Sequence, residues 1–160
     1  MLKQVDTYLS NLKTHWFILI MVVASFLLLI PLNYLSHTAE LNPIFLFPSF
    51  GQFVEGIFFE PFLETIIFQV GLFWILRYIP YIRKHDSLII LISAILFGLN
   101  HPFGIGYIIV ATIYGLLFNY AYLIYQKKNK ITHTLSAFAV VYLIYALHNM
   151  VCFFDVLISS

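Results

Sequence analysis

The chain has 160 residues, of which 62% are hydrophobic, 19% are aromatic and only 9% are charged. Soluble domains carry about 25% charged residues, so a water-soluble globule is excluded and lipid must surround most of the chain. The formal net charge of +1 also excludes nucleic acid as a partner, because binding it needs a strongly basic surface.

Five apolar segments predict an all-α fold, a polytopic membrane helix bundle of about five transmembrane helices. The first fifteen residues are polar and are predicted as a tail. The first span is too long for a signal-peptide core and is expected to be retained. Pro43, Pro48 and Gly51 predict a loop over residues 36–55. The predicted spans cover residues 16–35, 56–79, 87–101, 103–125 and 134–157.

Basic residues alternate between the predicted loops, which indicates the orientation of the bundle. Lysine and arginine accumulate in loops that stay on the cytoplasmic side. The eight basic residues all fall before the first span, from the last turn of the second span to the start of the third, or between the fourth and fifth. The sequence therefore predicts an integral multi-pass protein of a bacterial inner (plasma) membrane, with the amino terminus inside and the carboxyl terminus outside.

Small residues recur four positions apart in two neighbouring spans. Ala94 and Gly98 share a face of the third span, and Ala111 and Gly115 share a face of the fourth. Such spacing allows two helices in lipid to approach closely. Close packing of these two spans is one interpretation, and chance in an apolar helix is the other.

Two glutamates lie inside the second predicted span. Glu60 and Glu64 are four residues apart and so share a helix face. Glu64 is about 12 Å inside the predicted boundary at Gly56, given a rise of about 1.5 Å per residue. A carboxylate at that depth costs roughly 2.5–3.5 kcal/mol or more, so a functional role with partners in the bundle is expected.

Candidate partners occur at a similar depth in two other spans. His101 ends the third span, about 21 Å from its cytoplasmic start. In the fifth span, Tyr145, His148 and Asn149 form one stripe with Cys152. A carboxylate can take a proton from water, a histidine can orient that water, and an amide or phenol can donate to an oxyanion. The set is typical of amide hydrolysis, although a membrane histidine or asparagine can also simply bond a neighbouring helix.

Three motifs resemble those of the CPBP family of intramembrane endopeptidases, the bacterial relatives of the CAAX prenyl endopeptidase. The family pattern is Glu-Glu-x-x-x-Arg, then Phe-x-x-x-His, then His-x-x-x-Asn or Asp, on separate helices. The matching segments, in the same order, are PFLETIIFQ at 61–69, FGLNH at 97–101 and YALHN at 145–149. The resemblance covers about residues 56–157, and a single membrane domain over 1–160 is predicted, with 1–35 forming the tail and first helix.

The resemblance implies roles for individual residues. Glu64 matches the glutamate that activates water, and Phe97 and His101 match the second motif. Thr65 and Gln69 replace the family's second glutamate and arginine, and we expect a neutral hydrogen-bonded clasp between them in place of a charged one. Aligned on Asn149, the third motif has Tyr145 in place of histidine, with His148 as a substitute one turn on. Aligned on His148, it has Cys152 in place of asparagine.

The leading prediction is therefore an intramembrane glutamic-type endopeptidase that cleaves a membrane-associated peptide or protein. Its predicted catalytic residues are Glu64, His101, Asn149, Tyr145 and His148, supported by Thr65, Gln69, Phe97 and Glu60. No cofactor is expected, although a Glu-His-His set could also form a zinc shell. The predicted partners are lipid and the substrate, and the sequence does not define an oligomeric state.

Three alternatives remain from the sequence. A catalytically degenerate binding or immunity protein on the same fold would explain the altered motifs. A small transporter would rest only on polar groups at depth. A haem protein bridged by His101 and His148 is the most distant of the three.

Overall fold

The computed structural model describes residues 2–36 and 49–159. Within these ranges the regular structure is entirely helical, which confirms the predicted all-α class. The helices are α1 (Leu2–Asn11), α2 (Thr14–Ser36), α3 (Phe50–Leu76), α4 (Asp86–Leu99), α5 (Ile105–Thr132) and α6 (Ala137–Ser159), with a 3-10 turn at Ile82–Lys84.

The apolar helices confirm an integral membrane protein. By length and composition, α3, α5 and the Ala137–Asp155 part of α6 can each cross a membrane. The Thr14–Leu28 part of α2 and the whole of α4 are shorter apolar helices. These five helices correspond to the five predicted spans in order.

Three boundaries differ from the sequence prediction by more than three residues. Residues 2–11, predicted as a polar tail, form α1, because Leu9 gives that helix a buried apolar contact with α5. Helix α3 begins at Phe50 and not at Gly56, since Ser49 forms a capping box with Gln52. Helix α5 continues past Tyr125 to Thr132. Residues 37–48 of the predicted loop, including Pro43 and Pro48, lie outside the described residues.

Helix α3 changes its backbone form twice around Glu64. The segments Glu55–Phe59 and Thr65–Gly71 are π-helical, while the intervening Glu60–Glu64 turn is α-helical. Pro61 begins that turn without an N–H to donate, so the preceding hydrogen bonds must adjust. Wide π turns are uncommon and frequently occur at functional sites. Glu64 therefore lies in the one α-helical turn between two of them.

Helices α4 and α5 form the most extensive helix pair of the described chain, and glycines allow their approach. A Cβ built on Gly98 would overlap Thr112 Oγ1 and lie 2.7 Å from the carbonyl oxygen of Ile108. A Cβ on Gly115 would lie 3.0 Å from Ala94 Cα. The small residues singled out in the sequence thus lie in a real helix interface.

We expect the Gly98→Ala variant to be less stable than the wild type. The added methyl group meets backbone on α5, and overpacking of this kind costs about 1–3 kcal/mol. Thermal unfolding in detergent should show an apparent Tm several degrees lower. Gly51→Ala is the matched control, because its Cβ would approach only Ser49 Oγ, at 3.9 Å. Equal Tm values for the two variants would contradict the tight interface.

The two ends of the bundle differ in their contacts. At one end Asp86 binds Arg77 at 3.2 Å and Lys127 at 2.7 Å, which ties the ends of α3, α4 and α5 together. At the other end of α4, the turn at Asn100 and His101 approaches the Glu64 segment of α3. The basic residues and the candidate site are thus separated along the helix axes.

Candidate active site

The carboxylate of Glu64 lies between three helices. Its side chain is 14% exposed, so it is largely removed from solvent. The Tyr145 hydroxyl on α6 donates to Glu64 Oε2 at 2.5 Å. Tyr145 is itself buried, packed between the rings of Phe97 and Phe118. One carboxylate oxygen is therefore held by a neutral donor, and the other faces the end of α4.

His101 presents a defined nitrogen to Glu64. Its Nδ1 lies 2.8 Å from the carbonyl oxygen of Phe97, one turn earlier. A carbonyl can only accept, so Nδ1 carries a proton and Nε2 is the nitrogen left for other partners. Nε2 lies 3.5 Å from Glu64 Oε1. This separation is longer than a normal hydrogen bond and is suited to a water that contacts both atoms.

Phe97 and Asn100 complete this side of the site. The Phe97 ring lies 4.8 Å from the His101 ring and is almost fully buried, so it fixes the imidazole from one face. Asn100 Nδ2 lies 3.5 Å from Glu64 Oε1, at the outer limit of a hydrogen bond that it would donate. Sequence reasoning missed Asn100, although it stands inside the FGLNH motif beside His101. Its position in the turn after α4 is the signal that could have identified it.

Asn149 and His148 lie away from the carboxylate. Asn149 Nδ2 donates to the carbonyl oxygen of Gly56 at 2.7 Å, in the first π-helical segment of α3. His148 Nδ1 lies 2.9 Å from Ser25 Oγ on α2, and its ring stacks on Phe26 at 5.0 Å. Of the stripe predicted on α6, the structure brings only Tyr145 to Glu64.

The expected clasp between Thr65 and Gln69 is not formed. Gln69 Nε2 donates instead to Asn119 Oδ1 on α5, at 3.1 Å. Among the described residues, Thr65 Oγ1 and Gln69 Oε1 have no hydrogen-bond partner. Asn119, which the sequence analysis did not single out, also donates to the Ile90 carbonyl at 3.4 Å. The amide pair therefore joins α3 to α5, because a buried amide on a facing helix is a better partner than a hydroxyl one turn away.

Glu60 lies close to the Glu64 cluster, and the described residues do not gather as a set of metal ligands. Glu60 is half-buried and lies one turn before Glu64 on α3. In the described ranges, no three histidine, cysteine, aspartate or glutamate side chains gather as metal ligands. The Glu-His-His set considered for zinc is not assembled, because His148 packs against α2 while His101 faces α3.

The fold and the site define an integral membrane helix bundle with a glutamate, a histidine and a tyrosine clustered between its helices. The model of the type II CAAX prenyl endopeptidase Rce1-like family matches residues 44–151, and the chain belongs to that family. The family predicted from the three motifs is thereby confirmed, and the chain is CAAX-protease-like at the level of the family. Neither a curated protein nor a solved structure matches the chain.

Proposed function

We propose that this protein is an intramembrane endopeptidase in which Glu64 activates water for attack on a peptide bond. The observation that carries the proposal is the facing pair formed by Glu64 Oε1 and His101 Nε2, 3.5 Å apart in a largely buried site. One water in contact with both atoms would have a proton acceptor and an orienting nitrogen. Family membership supports the reaction class.

In the proposed reaction, Glu64 takes a proton from the water as the water oxygen bonds to the carbonyl carbon of the substrate. The carbonyl oxygen becomes an oxyanion. Glu64 then passes the proton to the departing nitrogen as the C–N bond breaks, which leaves a carboxylic acid and an amine. General-base assistance of this kind contributes roughly 10²–10⁴-fold to a rate.

Two neutral donors beside the carboxylate are suited to the oxyanion. These are the Tyr145 hydroxyl, which contacts Glu64 Oε2, and Asn100 Nδ2, which contacts Glu64 Oε1. The single O–H of Tyr145 is held by the ionised carboxylate, so it can turn to the oxyanion once Glu64 has taken the proton from water. The Asn100 amide has a second N–H to donate. Asn149 and His148 act further out in this proposal, through Gly56 on α3 and Ser25 on α2 respectively.

We also propose an orientation, which the charged end of the bundle supports. We place the Arg77, Asp86 and Lys127 cluster on the cytoplasmic side of a bacterial plasma membrane, in keeping with the bias of basic residues. The amino terminus is then inside, the carboxyl terminus outside, and Glu64 lies near the middle of α3 (Phe50–Leu76). The proposed substrates are membrane-associated peptides or proteins, with prenylated carboxyl-terminal peptides as the first class to test.

The direct test is hydrolysis by the purified protein in lipid nanodiscs. A panel of prenylated and membrane-embedded peptides is incubated in water enriched in ¹⁸O, and the products are analysed by mass spectrometry. We expect cleavage with one ¹⁸O in the new carboxyl group, and no cleavage by Glu64→Ala. Cleavage by that variant at the wild-type rate would refute the proposal.

A binding or immunity protein on the same fold is the second candidate. The observation that favours it is the neutral replacement of the family's charged positions, where Gln69 pairs with Asn119 and Thr65 has no hydrogen-bond partner among the described residues. A binding protein needs the shape of the site but not its base. Retention of biological activity by Glu64→Gln, together with an absence of hydrolysis by the wild type, would select this candidate.

A further inference from the structure

A cavity of about 470 Å³ opens at the basic end of the bundle, away from Glu64. It lies between the α1–α2 turn, the end of α5 and the start of α6. Along α6, the eight residues from Ala137 to Tyr145 separate it from the candidate site by about 12 Å. The lining residues are Ser10, Asn11, Leu12, Lys13, Thr14, His15, Lys128, Thr132 and Thr134.

The cavity holds a buried cation without a counter-charge. Lys128 is only 7% exposed, and its ammonium donates to the carbonyl oxygen of Leu12 and lies 5.3 Å from the centre of the Tyr125 ring. Both partners are neutral. In the described ranges no carboxylate lies within ion-pair distance of Lys128, whereas the neighbouring Lys127 binds Asp86 at 2.7 Å. A buried lysine is costly unless an anion pairs with it.

The other lining groups also favour an anion. Lys13 and His15 stand exposed at the cavity mouth, and none of the lining residues is acidic. Helix α2 begins here at Thr14, and the first amides of a helix have no partner within it. Hydroxyl groups along the cavity wall are hydrogen-bonded to one another. The Tyr125 hydroxyl lies 2.6 Å from Thr14 Oγ1 and 3.1 Å from Thr134 Oγ1, which holds these two lining residues in place.

We propose that this cavity binds a phosphate-bearing anion, with Lys128 at its floor and Lys13 and His15 at its mouth. Two sources carry the same chemistry, namely the headgroup of an anionic phospholipid and free phosphate. The lipid source agrees with the position of the cavity at the end of the helices, where basic pockets between transmembrane helices meet headgroups. The site is independent of the peptidase proposal, since it shares no residue with the Glu64 cluster.

Trp16 offers a fluorescent probe of lipid at the cavity. It is the residue after His15, which lines the cavity, and the centroids of the two rings are 5.6 Å apart. The chain has two tryptophans, so a Trp74→Phe background leaves Trp16 as the single fluorophore. Quenching is measured in nanodiscs with brominated phosphatidylglycerol or brominated phosphatidylcholine at equal mole fractions. We expect stronger quenching by brominated phosphatidylglycerol than by brominated phosphatidylcholine. Each cavity lysine removed should lower this preference for the anionic lipid roughly fivefold.

Matched variants distinguish binding in the cavity from a general attraction between lysines and anionic lipid. Lys13→Gln with Lys128→Gln should abolish the preference, while Lys84→Gln with Lys130→Gln removes the same charge outside the cavity and should retain it. Because Lys128 also holds Leu12, the exposed pair Lys13→Gln and His15→Gln provides a second variant that keeps the buried contact. Equal losses in the cavity and control pairs would overturn the proposal.

Inorganic phosphate identifies the source. Added phosphate that removes the lipid preference, or protection of the protein against heating by phosphate in neutral lipid, would assign the cavity to the free anion. A preference that phosphate leaves unchanged assigns it to the headgroup. If neither anionic lipid nor phosphate changes the fluorescence or the unfolding temperature, the cavity is not an anion site.

Discussion

Glu64→Gln is expected to lower kcat for peptide hydrolysis by about a thousandfold, with little change in KM. Glutamine keeps the size of the side chain and can still accept a hydrogen bond from Tyr145, so the site retains its shape. It cannot take a proton from water, and so the lost step is general-base activation. Steady-state kinetics on a cleaved peptide from the panel would measure the change.

Glu55→Gln is the matched control for this experiment. Glu55 stands on the same helix, is exposed, and lies at the start of the first π-helical segment. The control removes the same charge without touching the cluster, so its kcat should equal that of the wild type. A similar decrease in both variants would mean that helix α3 responds to any loss of charge and that Glu64 has no special role.

His101→Ala is expected to lower kcat by about a hundredfold and to leave peptide binding nearly intact. The variant removes Nε2, the nitrogen that faces Glu64 Oε1, while Phe97 and Tyr145 continue to shape the pocket. Loss of one positioned polar group in a buried site typically costs roughly 10²–10³ in rate. The split between kcat and KM is the informative measurement.

His85→Ala controls for the loss of an imidazole in general. His85 Nδ1 bonds the carbonyl oxygen of Tyr81 at 2.9 Å, four residues earlier, as His101 bonds Phe97 at 2.8 Å. His85 is exposed at the basic end, so its removal should leave hydrolysis unchanged. Activity of His101→Ala within threefold of the wild type would exclude His101 from the reaction.

The convergence of Glu64, His101 and Tyr145 could be predicted from the sequence because depth is readable there. His101 and Tyr145 lie a countable number of turns from loops that basic residues mark, and Glu64 lies a countable number of turns from the predicted boundary at Gly56. Lipid penalises a polar group that finds no partner.

Depth gives a layer and not a direction. On α6, His148 and Asn149 point about 60° and 40° to either side of Tyr145. The three residues therefore share one broad stripe, yet only Tyr145 reaches the carboxylate. Asn149 contacts Gly56 of α3, and His148 contacts Ser25 of α2.

The buried amide pair shows a second limit of the sequence. Gln69 was expected to pair with Thr65, because only neighbours on its own helix are visible without a tertiary structure. Its partner is Asn119, 50 residues away in the sequence on α5. The α5 sequence around Asn119 does not show which neighbouring helix its amide will contact. The π-helical segments of α3 were equally hidden, since no residue pattern in the sequence specifies them.

The wide turns of α3 also determine where the chain tolerates a change of length. A π-helical turn accommodates one residue more than an α-helical turn. Loss of one residue within Thr65–Gly71 can therefore be absorbed by a return to α-helical geometry, with both flanks kept in their directions. The α-helical turn Glu60–Glu64 has no extra residue to lose. A deletion there would rotate the Glu64 carboxylate by about 100° toward another neighbour. Insertions and deletions among relatives should therefore occur in the π-helical segments of α3 and be absent from the α-helical turn Glu60–Glu64.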